Sequence, residues 1–216
     1  MSIALLGAAG RIGSEIRQEA LRRGHDVTAI VRTPGRIEAA DGLSEAVADA
    51  YDADSIAAAL AGQEALISAF SPDPSEPIEG KPERLRQSHA AILAGARKAG
   101  VKRVILVGGV GSLWAAPGLL VVDSPEYPQA NRGHTLANIE ILRGLREEGD
   151  DLDWTYVSPP RRIEAGERTG IFRLSKNDLL RDDAGESRIS RADFAIAVID
   201  ELEKGAHVRG RFTVAY

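Results

Sequence analysis

No cysteine occurs anywhere in the 216 residues, which excludes disulfide staples, thiolate metal sites and a cysteine nucleophile. The absence fits a reducing compartment, and a cytoplasmic location is expected. An excess of positive charge is also missing. The 27 Lys plus Arg stand against 32 Asp plus Glu, a formal charge of −5, so no strong positive field is available for nucleic acid or an anionic membrane. A small-molecule partner is expected, with the chain acting as a monomer or homodimer. No apolar run approaches the roughly 20 residues of a membrane span. The first residues, MSIALLGAAG, have no basic leader region, so a soluble, unexported protein is expected. The four histidines, His25, His89, His134 and His207, show no ligand spacing, and no metal site is expected. G-x-S-x-G and a Walker A lysine are both absent.

What is present is an alternation. Short apolar runs, SIALLG, DVTAIVR, EALISAF, RVILVGG and WTYVS, are separated by longer amphipathic segments. This is the pattern of parallel strands joined by crossover helices. Ile12, Ile16 and Ala20 repeat at four-residue spacing in the first helix, and Gly24 ends it. A second long helix is expected at about 82–99, with Leu85, Ile92 and Ala96 inward and Gly100 as its stop. Ser190 and Asp193 form a capping-box-like start to a helix lined by Phe194, Val198 and Leu202, and RFTVAY reads as a last strand. The expected fold is α/β, a doubly wound parallel-sheet Rossmann fold spanning 1–216 as a single domain. Three stretches break the rhythm: 71–81, 111–132 and 159–186. Each follows a predicted strand, where loops of an α/β sheet form the ligand crevice.

The motif GAAGRIG joins the first strand to the first helix. It supplies Gly7, Gly10 and Gly13 in a G-x-x-G-x-x-G spacing, with Ala9, Arg11 and Ile12 between them. Glycine there permits a tight turn, lets backbone N–H groups approach a pyrophosphate and allows helix and strand to pack closely, while the helix N-terminus favours the anion. A dinucleotide is expected. At the end of the second strand an NAD enzyme places a carboxylate on the ribose 2′-hydroxyl. Here the strand ends in VRTPGR, with Arg32, Thr33 and Arg36. A guanidinium pairs with a 2′-phosphate rather than with a hydroxyl, so NADP(H) is expected over NAD(H). Arg11 is a further candidate for the same phosphate. After the third strand, Asp49 and Ala50 suit the adenine edge, although Asp49 could equally cap the following helix near Asp52.

These residues resemble the atypical short-chain dehydrogenase/reductases, in particular the NAD(P)H-flavin reductase group related to biliverdin reductase B and the NmrA-like proteins. The resemblance covers nearly the whole chain: GAAGRIG, VRTPGR, ILVGGVGSL, DWTYVSPP, and the phrase ERTGIFRLSKNDLLRDDAGESRISRADFAIAVIDELE followed by RFTVAY. It implies an NADP-binding Rossmann fold with a small C-terminal cap on the substrate side. It implies that Ala69 and Phe70 lie near the nicotinamide ribose. Gly108 and Gly109 would end the fifth strand, Ser112 would stand at the active-site serine, and Ser158, Pro159 and Pro160 would form the turn against the nicotinamide.

One feature of the larger superfamily is missing. A Tyr-x-x-x-Lys pair works because the ammonium lowers the phenol's pKa. Four residues beyond Tyr51, Tyr127 and Tyr156 stand Ser55, Asn131 and Pro160, and Tyr216 ends the sequence. His134, in the segment GHTLANIEILR, is the candidate replacement acid. Hydride transfer to a flavin or quinone tolerates the loss, because water can supply the later proton and the protein supplies orientation. The expected activity is therefore an NADP(H)-dependent reductase with FMN, riboflavin or a similar planar acceptor. Leu113, Trp114 and Phe172 are the expected walls of the acceptor site, and Asp123, Glu126 and Tyr127 its rim. The alternatives are an NmrA-like NADP(H)-sensing regulator without turnover, and a sugar-nucleotide epimerase or dehydratase with an unfamiliar acid.

Overall fold

The computed structural model describes residues 1–72, 75 and 77–216. SIALL forms β1 (Ser2–Leu6), which passes through the glycine turn into α1 (Gly13–Arg22). The chain continues through β2 (Asp26–Val31), β3 (Leu43–Val47), α2 (Ala53–Ala59), β4 (Ala65–Ser68), α3 (Lys81–Ala99) and β5 (Arg103–Val107). A small hairpin follows, β6 (Trp114–Ala116) and β7 (Leu119–Leu120), then α4 (Arg132–Glu148) and β8 (Asp153–Ser158). The last part contains β9 (Arg162–Glu164), β10 (Arg173–Ser175), β11 (Arg188–Ser190), α5 (Arg191–Lys204) and β12 (Gly210–Ala215).

Eight strands form one sheet in the order β10-β12-β8-β5-β4-β1-β2-β3, parallel throughout except that β10 runs antiparallel to β12. The order reverses between β1 and β4. That is the switch point where the carboxyl ends of an open parallel sheet part to leave a crevice.

Alternation along the strands sends side chains to two apolar layers. Ile3, Leu5, Ile67, Ile105, Val157 and Phe212 meet Ile16 of α1 and Phe194 and Val198 of α5. Leu6, Leu66, Val104, Leu106 and Tyr156 meet Ile56 of α2, Ile92 of α3 and Leu142 of α4. Strands buried on both faces are why these runs read as continuously apolar in sequence.

The helix expected at 82–99 begins one residue earlier, and Gly100 ends it with φ 74°. The three long stretches leave the carboxyl ends of β4, β5 and β8. Asp73, Pro74 and Glu76 of the first lie outside the described residues. The second holds the hairpin β6–β7, and the third holds β9 and β10, with β9 pairing β11 in a small parallel sheet beside the main one.

The start of α5 departs from the expected capping box. Ser190 does accept the Asp193 N–H, at 2.9 Å. The Asp193 carboxylate, however, turns to the backbone N–H groups of Thr169 and Gly170 at 2.8 Å each and to the Thr169 hydroxyl at 2.6 Å. Tyr216 takes its place at the N-cap, its hydroxyl oxygen accepting the Ser190 N–H at 3.1 Å. The motif is half intact because a loop distant in sequence offers the carboxylate more donors than the helix does.

Candidate functional site

At the switch point the backbone comes into contact with itself. Gly7 has φ 81°, and a Cβ there would lie 2.7 Å from the Ala69 carbonyl oxygen. A Cβ on Gly13 would lie 2.1 Å from the Gly7 carbonyl oxygen. Only glycine permits this turn, which the Gly10 N–H closes onto Gly7 O at 2.9 Å. The first turn of α1 receives no side-chain cap. Its leading N–H groups and the helix dipole are therefore turned toward the crevice mouth, the arrangement that holds a pyrophosphate.

The crevice has a volume of about 690 Å³, within the range of small-molecule and cofactor sites. Gly7, Ala9, Gly10, Arg11 and Ile12 line it from the glycine turn, and Arg32, Thr33 and Arg36 from the end of β2. Asp49 and Ala50 line it beyond β3, and Ala69 and Phe70 beyond β4. Gly13 serves from beneath, through the close approach just described. Among the described residues, the guanidinium groups of Arg11, Arg32 and Arg36 take no hydrogen bond or ion pair. The turn carrying Arg32 and Arg36 is fixed instead by Glu45, whose carboxylate accepts the Gly35 N–H at 2.8 Å. The donors, the glycine cradle and the volume fit a dinucleotide.

At the far end, Asp52 rather than Asp49 caps α2, accepting from Asp54 and Ser55 N–H. Asp49 accepts the Tyr51 N–H at 3.0 Å in a local turn. Tyr51 and Arg84 are site residues that sequence reasoning missed. Tyr51 meets Phe70 edge-on, with ring centroids 5.9 Å apart, and the Arg84 guanidinium lies 4.8 Å above the Tyr51 ring. All three line the crevice, an aromatic and cationic platform suited to a base. Tyr51 follows Asp49-Ala50 directly, so it was within reach of a sequence argument, whereas Arg84 arrives from α3 by tertiary packing.

The neighbouring strand ends, β5 and β8, carry the remaining predicted residues outside that crevice. Gly108 faces the ring of Tyr156 so closely that a Cβ would fall 1.8 Å from it. The Tyr156 hydroxyl accepts the Gly109 N–H at 3.1 Å and approaches the Asn138 side-chain oxygen at 3.1 Å. Burial pushes this phenol well above its usual pKa, and its hydrogen bonds clamp β5 to α4. Ser158 and Pro160 are buried and Pro159 is half-buried at the end of β8. The Ser158 hydroxyl has no hydrogen-bond partner among the described residues.

Ser112 is half-buried in a single 3₁₀ turn after β5, and its hydroxyl oxygen accepts from Arg211 Nη1 at 2.8 Å. His134 is half-buried in the first turn of α4. Burial, and then the charge of Lys81, hold its imidazole below the usual histidine range. Its neighbours by charge are on α3, Lys81 and His89, while Ser112 is turned to β12. No contact joins the two among the described residues.

The expected acceptor walls are corrected in part. Leu113 is fully buried in a small core with Val121 and Leu179, since this excursion must bury its own apolar side chains. Phe172 packs beside Ala197, Lys204 and Phe212 at the β10 edge, on the α5 face of the sheet, away from the crevice. Trp114 is 40 % exposed, its backbone N–H donating to the Asn177 carbonyl at 2.8 Å. The expected rim residues are held by protein partners. Asp123 pairs with Arg132, Glu126 with Arg161, and the Tyr127 hydroxyl meets Thr135.

Comparison with known proteins follows the same lines. A candidate exported protein from Burkholderia pseudomallei is 45 % identical, with a TM-score of 0.89 over 100 % of both chains. A candidate epimerase from Bacteroides thetaiotaomicron is 39 % identical, with a TM-score of 0.89 over 100 % of this chain and 96 % of the other. A candidate NADH-flavin reductase from Streptococcus pneumoniae TIGR4 is 32 % identical, with a TM-score of 0.84 over 100 % and 99 %. Residues 7–204 match the family described as NAD(P)H-binding. The glycine cradle, the cationic crevice and these likenesses agree: the chain belongs to the NAD(P)H-binding family and has the oxidoreductase-like Rossmann fold of the atypical short-chain dehydrogenase/reductases.

Proposed function

We propose that the chain is an NADP(H)-dependent reductase that delivers hydride to a planar, electron-poor acceptor, a flavin such as FMN or riboflavin, or a quinone. Bound NADPH supplies the hydride. The protein binds the pyrophosphate at Gly7, Gly10 and the α1 N-terminus, reads the 2′-phosphate with Arg32 and Arg36, and supports the adenine at Asp49, Ala50 and Tyr51, with Ala69 and Phe70 toward the nicotinamide ribose. The observation that carries the choice of acceptor is the state of the two tyrosines in and beside β5 and β8. Tyr156 is sealed against Gly108 and Asn138, and Tyr127 is engaged by Thr135. Neither has a lysine four residues on. Alcohol dehydrogenation through a tyrosine with a lysine four residues on has no such pair in the sequence, whereas a flavin or quinone asks chiefly for orientation and exclusion of water. The Streptococcus pneumoniae relative named for NADH-flavin reduction supports the same acceptor class.

The reading places a monomer or homodimer in the cytoplasm with a small molecule, and neither nucleic acid nor membrane, as its partner. The formal charge of −5 supports this. Among the described residues no helix is long and apolar enough to cross a membrane. The test is NADPH oxidation followed at 340 nm with FMN, riboflavin and a simple quinone, beside a binding titration of NADPH. Acceptor-dependent oxidation faster than the protein-free control is expected. Tight binding with no oxidation would replace the reductase by a cofactor sensor.

A further inference from the structure

Arg211 is a buried arginine without an acid. It lies on β12, 7 % exposed, on the same sheet face as its register partner Tyr156. Its Nη1 donates to the Ser112 hydroxyl oxygen at 2.8 Å and its Nη2 to the Asn177 side-chain oxygen at 2.6 Å. Among the described residues no carboxylate lies within 4.0 Å of it. Burial depresses its pKa to about 10, with Arg146 opposing the charge and Asp178 favouring it through space. Glu19 has Arg23 and Arg168 as counterions and Glu201 has Arg103, whereas the buried Asp193 is held by neutral donors. Burying a charge on neutral partners is costly; Asp193 serves there to tie three segments together, and Arg211 instead donates to a half-buried hydroxyl.

The surroundings are polar as well. Arg211 Nε, Ser158 Oγ and Thr213 Oγ1 are all buried with no hydrogen-bond partner among the described residues. Ser158 and Thr213 are register partners on the neighbouring strands β8 and β12. The β5 end from Gly108 to Val110, and Ser112, are only half-buried. This end of the sheet therefore combines a half-open surface, one hydroxyl and a cation directly behind it.

We propose that Arg211 is a positioning residue that fixes Ser112 as a hydrogen-bond donor and places positive charge where the acceptor becomes negative. Because the guanidinium donates to Ser112 Oγ, one of that oxygen's two lone pairs is occupied and its hydrogen is left available to donate to an acceptor. No other partner engages the Ser112 hydroxyl among the described residues. The pair performs the stabilising task that a lysine-backed tyrosine performs elsewhere, with the hydroxyl polarised by a cation behind it. The chemistry balances without an acid from the protein. The acceptor gains two electrons and one proton as hydride from the reduced nicotinamide, which is left as the oxidised pyridinium. The negative charge generated on the acceptor's oxygen or nitrogen is held by Ser112 and Arg211, and water supplies the second proton. The substrate class follows: acceptors whose reduced form is an anion, such as quinones and flavins. The inference rests on reading this end of the sheet as the acceptor site.

The test uses 4-nitrophenol as the probe, with its ionised form reporting by absorbance in the protein saturated with NADP⁺. The wild type is expected to favour phenolate over phenol by about tenfold, one pKa unit. Ser112→Ala and Arg211→Met should abolish that preference, Ser112→Thr should retain it, and all should keep the wild-type affinity for NADPH. The Ser112→Ala/Arg211→Met double variant should be no worse than the worse single variant, since one residue acts through the other. If Arg211→Met does not fold, the serine variants decide alone. A wild type with no phenolate preference, or a Ser112→Ala variant that keeps it, overturns the assignment. Phenolate preference without NADPH oxidation by any acceptor removes the reductase reading and leaves this one standing. Oxidation without the preference does the reverse.

Discussion

The hydroxyl of Tyr216, just beyond β12, donates to the buried Asp193 carboxylate in the first turn of α5 at 2.8 Å. The same carboxylate receives the backbone of Thr169 and Gly170. One acid thus joins the last residues, α5 and the stretch that follows β9. Burial alone would raise its pKa, but the hydrogen bonds from Thr169, Gly170 and Tyr216 outweigh that and lower it. Asp193→Asn exchanges one accepting oxygen for a donor and should lower the unfolding free energy by roughly 2 kcal/mol, with Tyr216→Phe losing about 1 kcal/mol. Urea denaturation measures both. Limited proteolysis should cut at 165–172 sooner in Asp193→Asn, and an unchanged cleavage rate would deny Asp193 its hold on that stretch.

Cofactor choice is predicted to rest on Arg32. Its exposed guanidinium takes no protein partner among the described residues, so nothing but the ligand is lost with it. Arg32→Ala should weaken NADPH binding by roughly 1 to 3 kcal/mol and leave NADH nearly unchanged. Parallel fluorescence titrations read the difference, and equal losses for both cofactors would sink the 2′-phosphate assignment.

The glycine cradle is predicted to fail by clash rather than by lost contacts. A methyl at position 13 would sit 2.1 Å from the Gly7 carbonyl oxygen, and both neighbours are backbone that cannot swing aside. Gly13→Ala should abolish measurable dinucleotide binding and destabilise the fold by on the order of 3 kcal/mol. Thermal melts with and without NADPH check this: the wild type should gain stability from the ligand, and the variant should gain none.

Acid should unfold the protein through two identifiable groups. His89 is buried and its Nδ1 lies 2.9 Å from Leu85 O. Burial depresses its pKa from 6.5 to about 4. The unfolded chain takes the proton first, so stability is complete above pH 6.5 and falls as the pH drops through 4. For Glu19, burial raises the pKa, but hydrogen bonds and charges from Arg168 and Arg23 lower it further, from 4.5 to about 2. Its contribution is present above pH 4.5 and lost toward pH 2. Each accounts for roughly 3 kcal/mol. In urea melts at stepped pH, His89→Gln should remove the upper step and Glu19→Gln the lower.

The strands and the two-faced sheet were legible because burial on both faces leaves uninterrupted apolar runs, and GAAGRIG because no other residue fits its turn. Arg32 was placed by its distance from that motif and Asp49 by following the third strand, and both line the crevice. What escaped depends on contacts between remote segments. Arg84 reaches Tyr51 from α3, and Arg211 meets Ser112 across 99 positions. Asp193 satisfied a local pattern yet serves a loop more than 20 residues away. Leu113 and Phe172 misled because an apolar residue in an excursion is indistinguishable in sequence from a ligand wall until its packing partners are known.

The bidentate grip of Arg168 on Glu19, at 2.8 Å for both bonds, fastens the segment after β9 to the helix that follows the glycine turn. Together with Thr169 and Gly170 on Asp193, it makes three consecutive residues into a mooring point. Downstream, from Ile171 to Ser187, the chain passes through the β10 edge before it returns to β11. Insertions and deletions in that later span can therefore reshape the β10 edge while the glycine cradle stays in place, which separates the part of the molecule free to diversify from the part that must not move.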